Sequence, residues 1–194
     1  GLTALSDLRL SNYPSIVGNL TSIDVSTNIA LANLNCDYNQ FTSIDVSNCP
    51  NLYQLFVQGN QLSSIDVSAN MSLGYFGVSD NNLTAVTVAS PVLSGLYAAN
   101  NSLTSVSVFS NVLTEIQVQN NQLTSLDVSN CTSLVEFDCS NNQIDTLDLS
   151  NTGTSLIDFN CSNNNLVSLD LRDGVWISLV GPFFDATGNA NLTC

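Results

Sequence analysis

The sequence predicts a mostly β solenoid, a fold in which one short unit repeats along an axis. A unit of 20 to 22 residues recurs seven times, and self-similarity at a fixed period is typical of repeat folds. Within each unit two apolar runs alternate over a few residues, as β-strands do, and no helical period of 3.6 residues is present. The units begin at Leu31, Leu52, Leu73, Leu93, Leu113, Leu134 and Leu156.

The first run of each unit follows the pattern L-x-x-[LIF]-x-[CVA]-x-x-N-x-[LIF], as in LANLNCDYNQF. Its ninth position is asparagine, whose side-chain amide both donates and accepts hydrogen bonds. A buried column of such amides can satisfy the backbone groups that each turn of the chain leaves open. We therefore predict a structural role for Asn39, Asn60, Asn81, Asn101, Asn121, Asn142 and Asn164.

The second run begins ten residues into each unit and follows LTSIDVS or a related sequence. Its β-branched residues favour a second strand or an extended segment over a helix. Because each unit then has two extended faces, we expect a weakly curved solenoid of seven or eight turns. At about 4.8 Å per turn, its length would be roughly 35 to 40 Å.

This repeat resembles that of leucine-rich-repeat proteins over residues 20–171. The resemblance implies a parallel β-sheet built from the first runs, with positions one, four and six of each unit pointing inward. We expect an irregular N-terminal cap at 1–19, repeats over 20–174 and a C-terminal cap at 175–194, all in one domain. A solenoid needs such caps because its end strands are otherwise open.

The LTSLDVSN style of the repeats and the tail FFDATGNANLTC are similar to secreted surface leucine-rich-repeat proteins of the Bacteroidota. That similarity implies a secreted or cell-surface location. The sequence starts at Gly1 without a signal peptide, which is typical of a mature chain or of a piece of a longer protein.

Charge and composition argue against several classes of protein. Sixteen acidic and two basic residues give a net charge of −14, which repels nucleic-acid phosphates and anionic lipids. No apolar stretch reaches the roughly 18 residues of a membrane helix. The sequence has no His, no Lys and no nucleophile, phosphate-loop or metal motif, and such motifs carry most enzyme chemistry. We therefore predict a non-enzyme that binds no nucleic acid and does not insert into membranes.

The six cysteines are better explained as small buried thiols than as disulfides or metal ligands. Cys36, Cys139 and Cys161 occupy the inward sixth position, where other units carry Val or Ala. Cys49 and Cys131 occupy matching turn positions four units apart. At about 19 Å, that separation is beyond the reach of a disulfide.

The outward positions of the first run carry the candidate ligand-binding residues. In earlier units they are aromatic and lie beside glycines, a combination that suits sugar rings or a protein partner. The same rings could instead simply cover neighbouring strands. In later units these positions are acidic, which would attract cations or a basic partner. The candidates are Tyr53, Phe56, Tyr75, Tyr97, Glu115, Glu136, Asp138 and Asp158.

The second run carries a column of aspartates, in which neighbours would repel by about 1 kcal/mol. Hydrogen bonds from neighbouring hydroxyls, or shared Ca²⁺, could offset this repulsion; a Ser or Thr lies two residues before each Asp. The weak Ca²⁺ candidates are Asp24, Asp45, Asp66, Asp127, Asp148 and Asp170. A threonine column raises ice binding as a minor alternative, with Thr21, Thr42, Thr84, Thr104 and Thr124.

We conclude from the sequence that the chain is a binding or adhesion module that recognises a glycan or a protein through its first-run face. The alternative is a structural spacer or filament subunit of a surface appendage that associates end to end. Apart from the weak Ca²⁺ sites, the sequence predicts no cofactor.

Overall fold

The computed structural model describes residues 4–152, 156–172 and 183–193. These residues form thirteen short β-strands and no helix. The strands are β1 (Asp7–Arg9), β2 (Asn33–Asn35), β3 (Gln54–Phe56), β4 (Tyr75–Gly77), β5 (Ala85–Val88), β6 (Gly95–Tyr97), β7 (Ser105–Val108), β8 (Glu115–Gln117), β9 (Glu136–Asp138), β10 (Thr146–Asp148), β11 (Asp158–Asn160), β12 (Ser168–Asp170) and β13 (Phe183–Asp185).

Nine strands form one parallel sheet in the order β1-β2-β3-β4-β6-β8-β9-β11-β13. Its register pairs equal repeat positions, so that Leu34 lies beside Leu55 and Leu55 beside Phe76. Positions three, four and five of the units therefore form three columns, about 4.8 Å from strand to strand. The predicted parallel solenoid is confirmed.

The second runs contribute two small parallel sheets, β5 with β7 and β10 with β12. The second runs of the other described units are assigned no strand. This mixture agrees with the expected second strand or extended segment.

The core is a single apolar column between the two runs. In the first unit Leu31, Leu34 and Cys36 are at most 1% exposed, and their equivalents are buried in the later units. Phe137 and Phe159, at position four, stack with ring centroids 5.4 Å apart. Burying one such side chain contributes about 1.5 to 3 kcal/mol, so the repeated positions hold the solenoid together.

The predicted asparagine column is a continuous hydrogen-bonded ladder. Asn81 donates through Nδ2 to the carbonyl of Val57 at 2.9 Å, and to the carbonyls of Val78 and Ser79, both at 3.1 Å. Its Oδ1 accepts from the backbone N–H of Leu62 at 2.9 Å. Each ladder amide thus joins its own unit to the preceding one. The same pattern recurs at Asn60, Asn101, Asn121, Asn142 and Asn164.

The residue before each ladder asparagine is in the left-handed region. Most of these residues are Asn or Gly, which tolerate positive φ best. The exceptions are Asp80 and Tyr38, with φ of 56° and 54°. Tyr38 is the bulkier of the two, and a Cβ on Gly59 of the next unit would collide with its ring. The column comprises Tyr38, Gly59, Asp80, Asn100, Asn120, Asn141, Asn163 and Gly188.

A second buried polar column, which the sequence analysis missed, lies at the turn that leads into each first run. Asn70 donates to the carbonyls of Val46 and Cys49, and Ser110 donates to the carbonyl of Leu93. These side chains bond backbone carbonyls at the second corner, as the ladder does at the first. The column contains Asn28, Cys49, Asn70, Ser90, Ser110, Cys131 and Thr152.

Each second-run aspartate accepts a hydrogen bond from the backbone N–H two residues later, and not from the hydroxyl two residues before it. Oδ1 of Asp24 accepts the backbone N–H of Ser26 at 3.0 Å, and Asp148 accepts that of Ser150 at 2.8 Å. This local turn stops the strand at the aspartate, as in β10 and β12. Thr87 and Ser107 have no carboxylate, and there β5 and β7 continue one residue further.

Both segments expected to be caps contribute strands to the main sheet. β1 pairs with β2 and β13 pairs with β11, and Asn189 repeats the ladder bonds to Leu166 and Cys161. Residues 1–19, which were expected to be irregular, therefore include one regular strand, β1. The proposed boundaries stay predictions, since residues 173–182, with Trp176, lie outside the described part. No helix suited to crossing a membrane is found among the described residues.

Candidate partner-binding face

The candidate face is the outer side of the nine-stranded sheet, where positions three and five of each unit point away from the core. The position-three column contains Asp7, Asn33, Gln54, Tyr75, Gly95, Glu115, Glu136 and Asp158. The position-five column contains Arg9, Asn35, Phe56, Gly77, Tyr97, Gln117, Asp138, Asn160 and Asp185. Side-chain character therefore changes along the sheet from polar to aromatic to acidic.

The aromatic centre comprises Tyr53, Phe56, Tyr75 and Tyr97, whose rings contact each other as two pairs. The ring centroids of Tyr53 and Tyr75 are 5.8 Å apart at 82°, and those of Phe56 and Tyr97 are 6.4 Å apart. The Tyr53–Tyr75 pair is edge-to-face, an arrangement that is stabilising beyond the area it buries, whereas the rings of Phe56 and Tyr97 are tilted at 38°.

Glycines of the following strands make room for these rings. A Cβ on Gly77 would lie 2.5 Å from Cδ1 of Phe56, and one on Gly74 would overlap the ring of Tyr53. Tyr53 is 44% exposed, whereas Phe56 is only partly exposed. The rings therefore cover neighbouring strands, as the alternative interpretation held, and still leave aromatic surface facing solvent.

The acidic zone comprises Glu115, Glu136, Asp138 and Asp158. The register places Glu115, Glu136 and Asp158 on successive strands of one column, and Asp138 in the other column accepts the N–H of Ser140 at 2.9 Å. Tyr97 donates its hydroxyl to Glu115, which joins the acidic zone to the aromatic centre. Partial burial, and then this hydrogen bond, raise the pKa of Tyr97.

A small recess lies within the acidic zone and is called the acidic recess below. Its volume is about 130 Å³, and it is lined by Gln117, Gln119, Glu136, Phe137, Asp138 and Asp158. A second recess of about 160 Å³, near the polar end, is lined by Arg9, Asn33, Leu34, Asn35, Gln54 and Phe56. Gln54, Gln117 and Gln119 were not singled out from the sequence, because glutamine at an outward position carries no distinctive signal.

Both arginines of the chain are paired with their own aspartates. Nη2 of Arg9 lies 3.0 Å from Oδ2 of Asp7, and Arg172 pairs with Asp170. Since the sequence contains no other Lys, Arg or His, no cationic side chain of the chain neutralises the acidic zone.

The second-run aspartates form no metal centre that the structure reveals. Across the described ranges, no three His, Cys, Asp or Glu side chains are grouped so as to hold a metal ion. Their carboxylates instead cap local turns, and the hydrogen bonds of Ser26 and Ser47 lower the pKa of Asp24 and Asp45. The weak Ca²⁺ prediction gains no support from this geometry.

The predicted buried thiols are confirmed for the five cysteines that the structure describes. Cys36, Cys49, Cys131, Cys139 and Cys161 are all free and buried. Burial raises the pKa of Cys36 and of Cys161 to about 12, so neither is a thiolate at neutral pH. Cys194 lies outside the described residues.

The repeated unit, the parallel sheet and the asparagine ladder define a leucine-rich-repeat solenoid. Solved structures of leucine-rich-repeat proteins are similar to the chain. No protein-family model and no curated protein matches its sequence. The proposed likeness to Bacteroidota surface proteins stays a prediction.

Three solved structures indicate the extent of the similarity. The functional domain of InlJ from Listeria monocytogenes, which includes a cysteine ladder, is 33% identical with a TM-score of 0.82, over 88% of this chain and 37% of that one. YopM from Yersinia enterocolitica is 25% identical with a TM-score of 0.67, over 84% and 39%. A chain of the LRIM1/APL1C complex is 27% identical with a TM-score of 0.71, over 88% and 33%. The chain thus spans well under half the length of each.

Proposed function

We propose that the chain is a protein-binding module that holds its partner on the outer face of the nine-stranded sheet. The observation that carries this proposal is the junction between the aromatic centre and the acidic zone. Aromatic side chains dominate binding energy at protein interfaces, and an uncompensated charged zone steers association. The two lie side by side here, joined by Tyr97 and Glu115.

Two further points support a protein partner. The similar LRIM1/APL1C structure is a complex of proteins, and leucine-rich-repeat neighbours suggest protein binding in general. Glycines lie against the rings of Tyr53 and Phe56, and aromatic side chains, with few rotatable bonds, lose little conformational entropy on binding. A glycan is the competing ligand class. A secreted or cell-surface setting is proposed from sequence resemblance alone.

The experiment selects 12-residue peptides from a random phage library on the purified chain, with a glycan array in parallel. The test variant is Tyr53→Ser/Phe56→Ser, with folding checked by circular dichroism. The matched control is Thr42→Ala/Thr124→Ala, since both threonines are exposed on the second-run face. We expect the test variant to weaken the binding of selected peptides at least about tenfold, as loss of central aromatic anchors does, and the control to leave it unchanged.

Other outcomes contradict this proposal. Peptides that bind the test variant as tightly as the wild type, or no selectable peptide, would favour the spacer role. Glycan capture that depends on the same two aromatic residues would replace the protein partner by a carbohydrate. Inhibition of ice recrystallisation that the threonine variant loses would favour ice binding.

A further inference from the structure

We infer that the acidic recess is a subsite for an arginine side chain of the protein partner, an assignment that rests on the function proposed above. The recess is bounded by three carboxylates from two adjacent strands. Glu136 and Asp158 are register partners on β9 and β11, and Asp138 lies two residues beyond Glu136. Neighbouring strands are about 4.8 Å apart, and residues two apart on a strand are about 6.8 Å apart. The acceptors therefore surround a space of side-chain width.

The unsatisfied group in this region is also an acceptor. Oε1 of Gln119, which belongs to the lining of the recess, is buried and has no hydrogen-bond partner among the described residues. A buried amide oxygen without a donor is destabilising. The acidic recess thus has more hydrogen-bond acceptors than donors, and a ligand with several N–H donors would complement it.

The chain supplies one N–H donor, from the backbone of Ser140 to Asp138, but no cationic side chain. Its two guanidinium groups are bound to Asp7 and Asp170, and it contains no Lys or His. A bare metal ion fits poorly, because the described acidic side chains form no group of three placed around one point. A guanidinium spreads five N–H donors over a planar fork and can reach acceptors that are several ångströms apart.

The neighbouring aromatic centre suits the same partner. Gln117 of the recess follows Tyr97 in the position-five column, and Glu115, held by Tyr97, precedes Glu136 in the other. Arginine stacks on aromatic rings as well as pairing with carboxylates. An extended partner segment along the sheet would therefore place its arginine in the recess and an apolar residue on the aromatic centre.

The test measures binding of defined peptides to the whole chain by fluorescence anisotropy at about 150 mM salt. The peptide Gly-Tyr-Ser-Arg-Ser-Arg-Gly is compared with versions carrying citrulline or lysine at both arginine positions. Citrulline keeps the shape of arginine but is uncharged. We expect the arginine peptide to bind at least about tenfold more tightly than the citrulline peptide, and more tightly than the lysine peptide. Equal binding of arginine and citrulline peptides, or no binding of either, overturns the subsite. Lysine binding equal to arginine overturns the guanidinium assignment.

Two variants separate the recess from general attraction to an acidic protein. Glu136→Gln/Asp158→Asn removes two charges from the recess. Asp127→Asn/Asp148→Asn removes two from the second-run face and keeps the oxygens that cap the local turns. We expect only the first variant to abolish the preference for arginine over citrulline, and equal weakening by both would refute a local site. If the peptides selected on phage depend on Tyr53 and Phe56 but the preference for arginine over citrulline is absent, the arginine subsite is refuted and the proposed protein-binding function is not. Loss of dependence on those aromatics is the separate failure of the proposed function.

Discussion

Removal of two neighbouring amides from the asparagine ladder should destabilise the solenoid by more than the sum of the single removals. Asn81 and Asn101 both donate to the carbonyl of Val78, at 3.1 and 3.0 Å. In Asn81→Ala that carbonyl keeps the bond from Asn101, and in Asn101→Ala it keeps the bond from Asn81. In the double variant both of these bonds are lost.

The magnitude of the single changes follows from the groups that each leaves unpaired. In Asn81→Ala the carbonyl of Val57 is still bound by Asn60, whereas the N–H of Leu62 loses its side-chain acceptor. One buried unpaired group costs about 1 to 3 kcal/mol, and bonds lost without leaving a group unpaired cost less. We expect a loss of about 3 kcal/mol in the free energy of unfolding for each single variant. The double variant should show a further coupling of about 1 to 2 kcal/mol, because the carbonyl of Val78 is then left unpaired.

Urea unfolding followed by circular dichroism measures these energies, with Asn81→Ala/Asn142→Ala as the control pair. Asn142 donates to Val118, Cys139 and Ser140 and shares no partner with Asn81. The control should be additive within about 0.5 kcal/mol. Additive energies for the neighbouring pair as well would refute the shared-carbonyl argument, and single losses below about 1 kcal/mol would refute the ladder as a source of stability.

Three more results are expected. Gly59→Ala should lower the free energy of unfolding by about 1 to 2 kcal/mol in urea titrations, because φ is +62° and the new Cβ would meet the ring of Tyr38. Thermal unfolding should show a loss of stability in acid, since hydrogen bonds from Ser26 and Ser47 hold the pKa of Asp24 and Asp45 below its unfolded value near 3.8. Their contribution is present above that value and is lost as pH falls through the lower folded pKa. Cysteine titration of a Cys194→Ser variant at pH 8 should find native thiols unreactive and all five reactive in denaturant, because burial raises the pKa of Cys36, Cys131 and Cys161.

Each of these results has a contrary outcome. Unchanged stability of Gly59→Ala would mean that the ring of Tyr38 moves freely and that the left-handed backbone costs little. The acid effect should be smaller in Asp24→Asn/Asp45→Asn, which keeps the capping oxygens without the titration, and an equal effect would assign it to other carboxylates. Rapid reaction of native thiols would show that the core opens readily.

The asparagine ladder and the columns of the candidate face could be predicted because they depend only on position within the repeat. Once the spacing places Asn60 over Asn39, its amide has one geometry available, and Phe56 must point outward when Leu55 points inward. The second polar column escaped prediction because its residue type varies: Asn28, Cys49 and Ser110 have only a side-chain donor in common. The hydrogen bond from the backbone N–H of Ser26 to Asp24 was also not predicted. Hydroxyl residues flank the aspartate on both sides in sequence and drew attention to hydroxyl donors instead.

The sequence around the C-terminal strand β13 matches the repeat pattern, so this strand could have been predicted. Phe184, Ala186 and Asn189 match positions four, six and nine of the unit, but the ten preceding residues depart from the repeat. The exposed fraction of each aromatic ring could not be predicted, because it depends on contacts with glycines of the next unit. The alternation of residues along one strand says nothing about such contacts.

The ladder also implies an order in which the repeat units fold during synthesis. Each asparagine accepts a backbone N–H of the unit before it, so that Asn81 completes a turn begun near Leu62 and Asn101 completes one begun near Leu83. A unit is therefore finished by its successor. A chain that leaves the ribosome from its N-terminus would close one turn each time the next ladder asparagine emerges, about every 21 residues. Synthesis and folding would then advance in step, and a stalled chain would expose only its most recent turn unfinished.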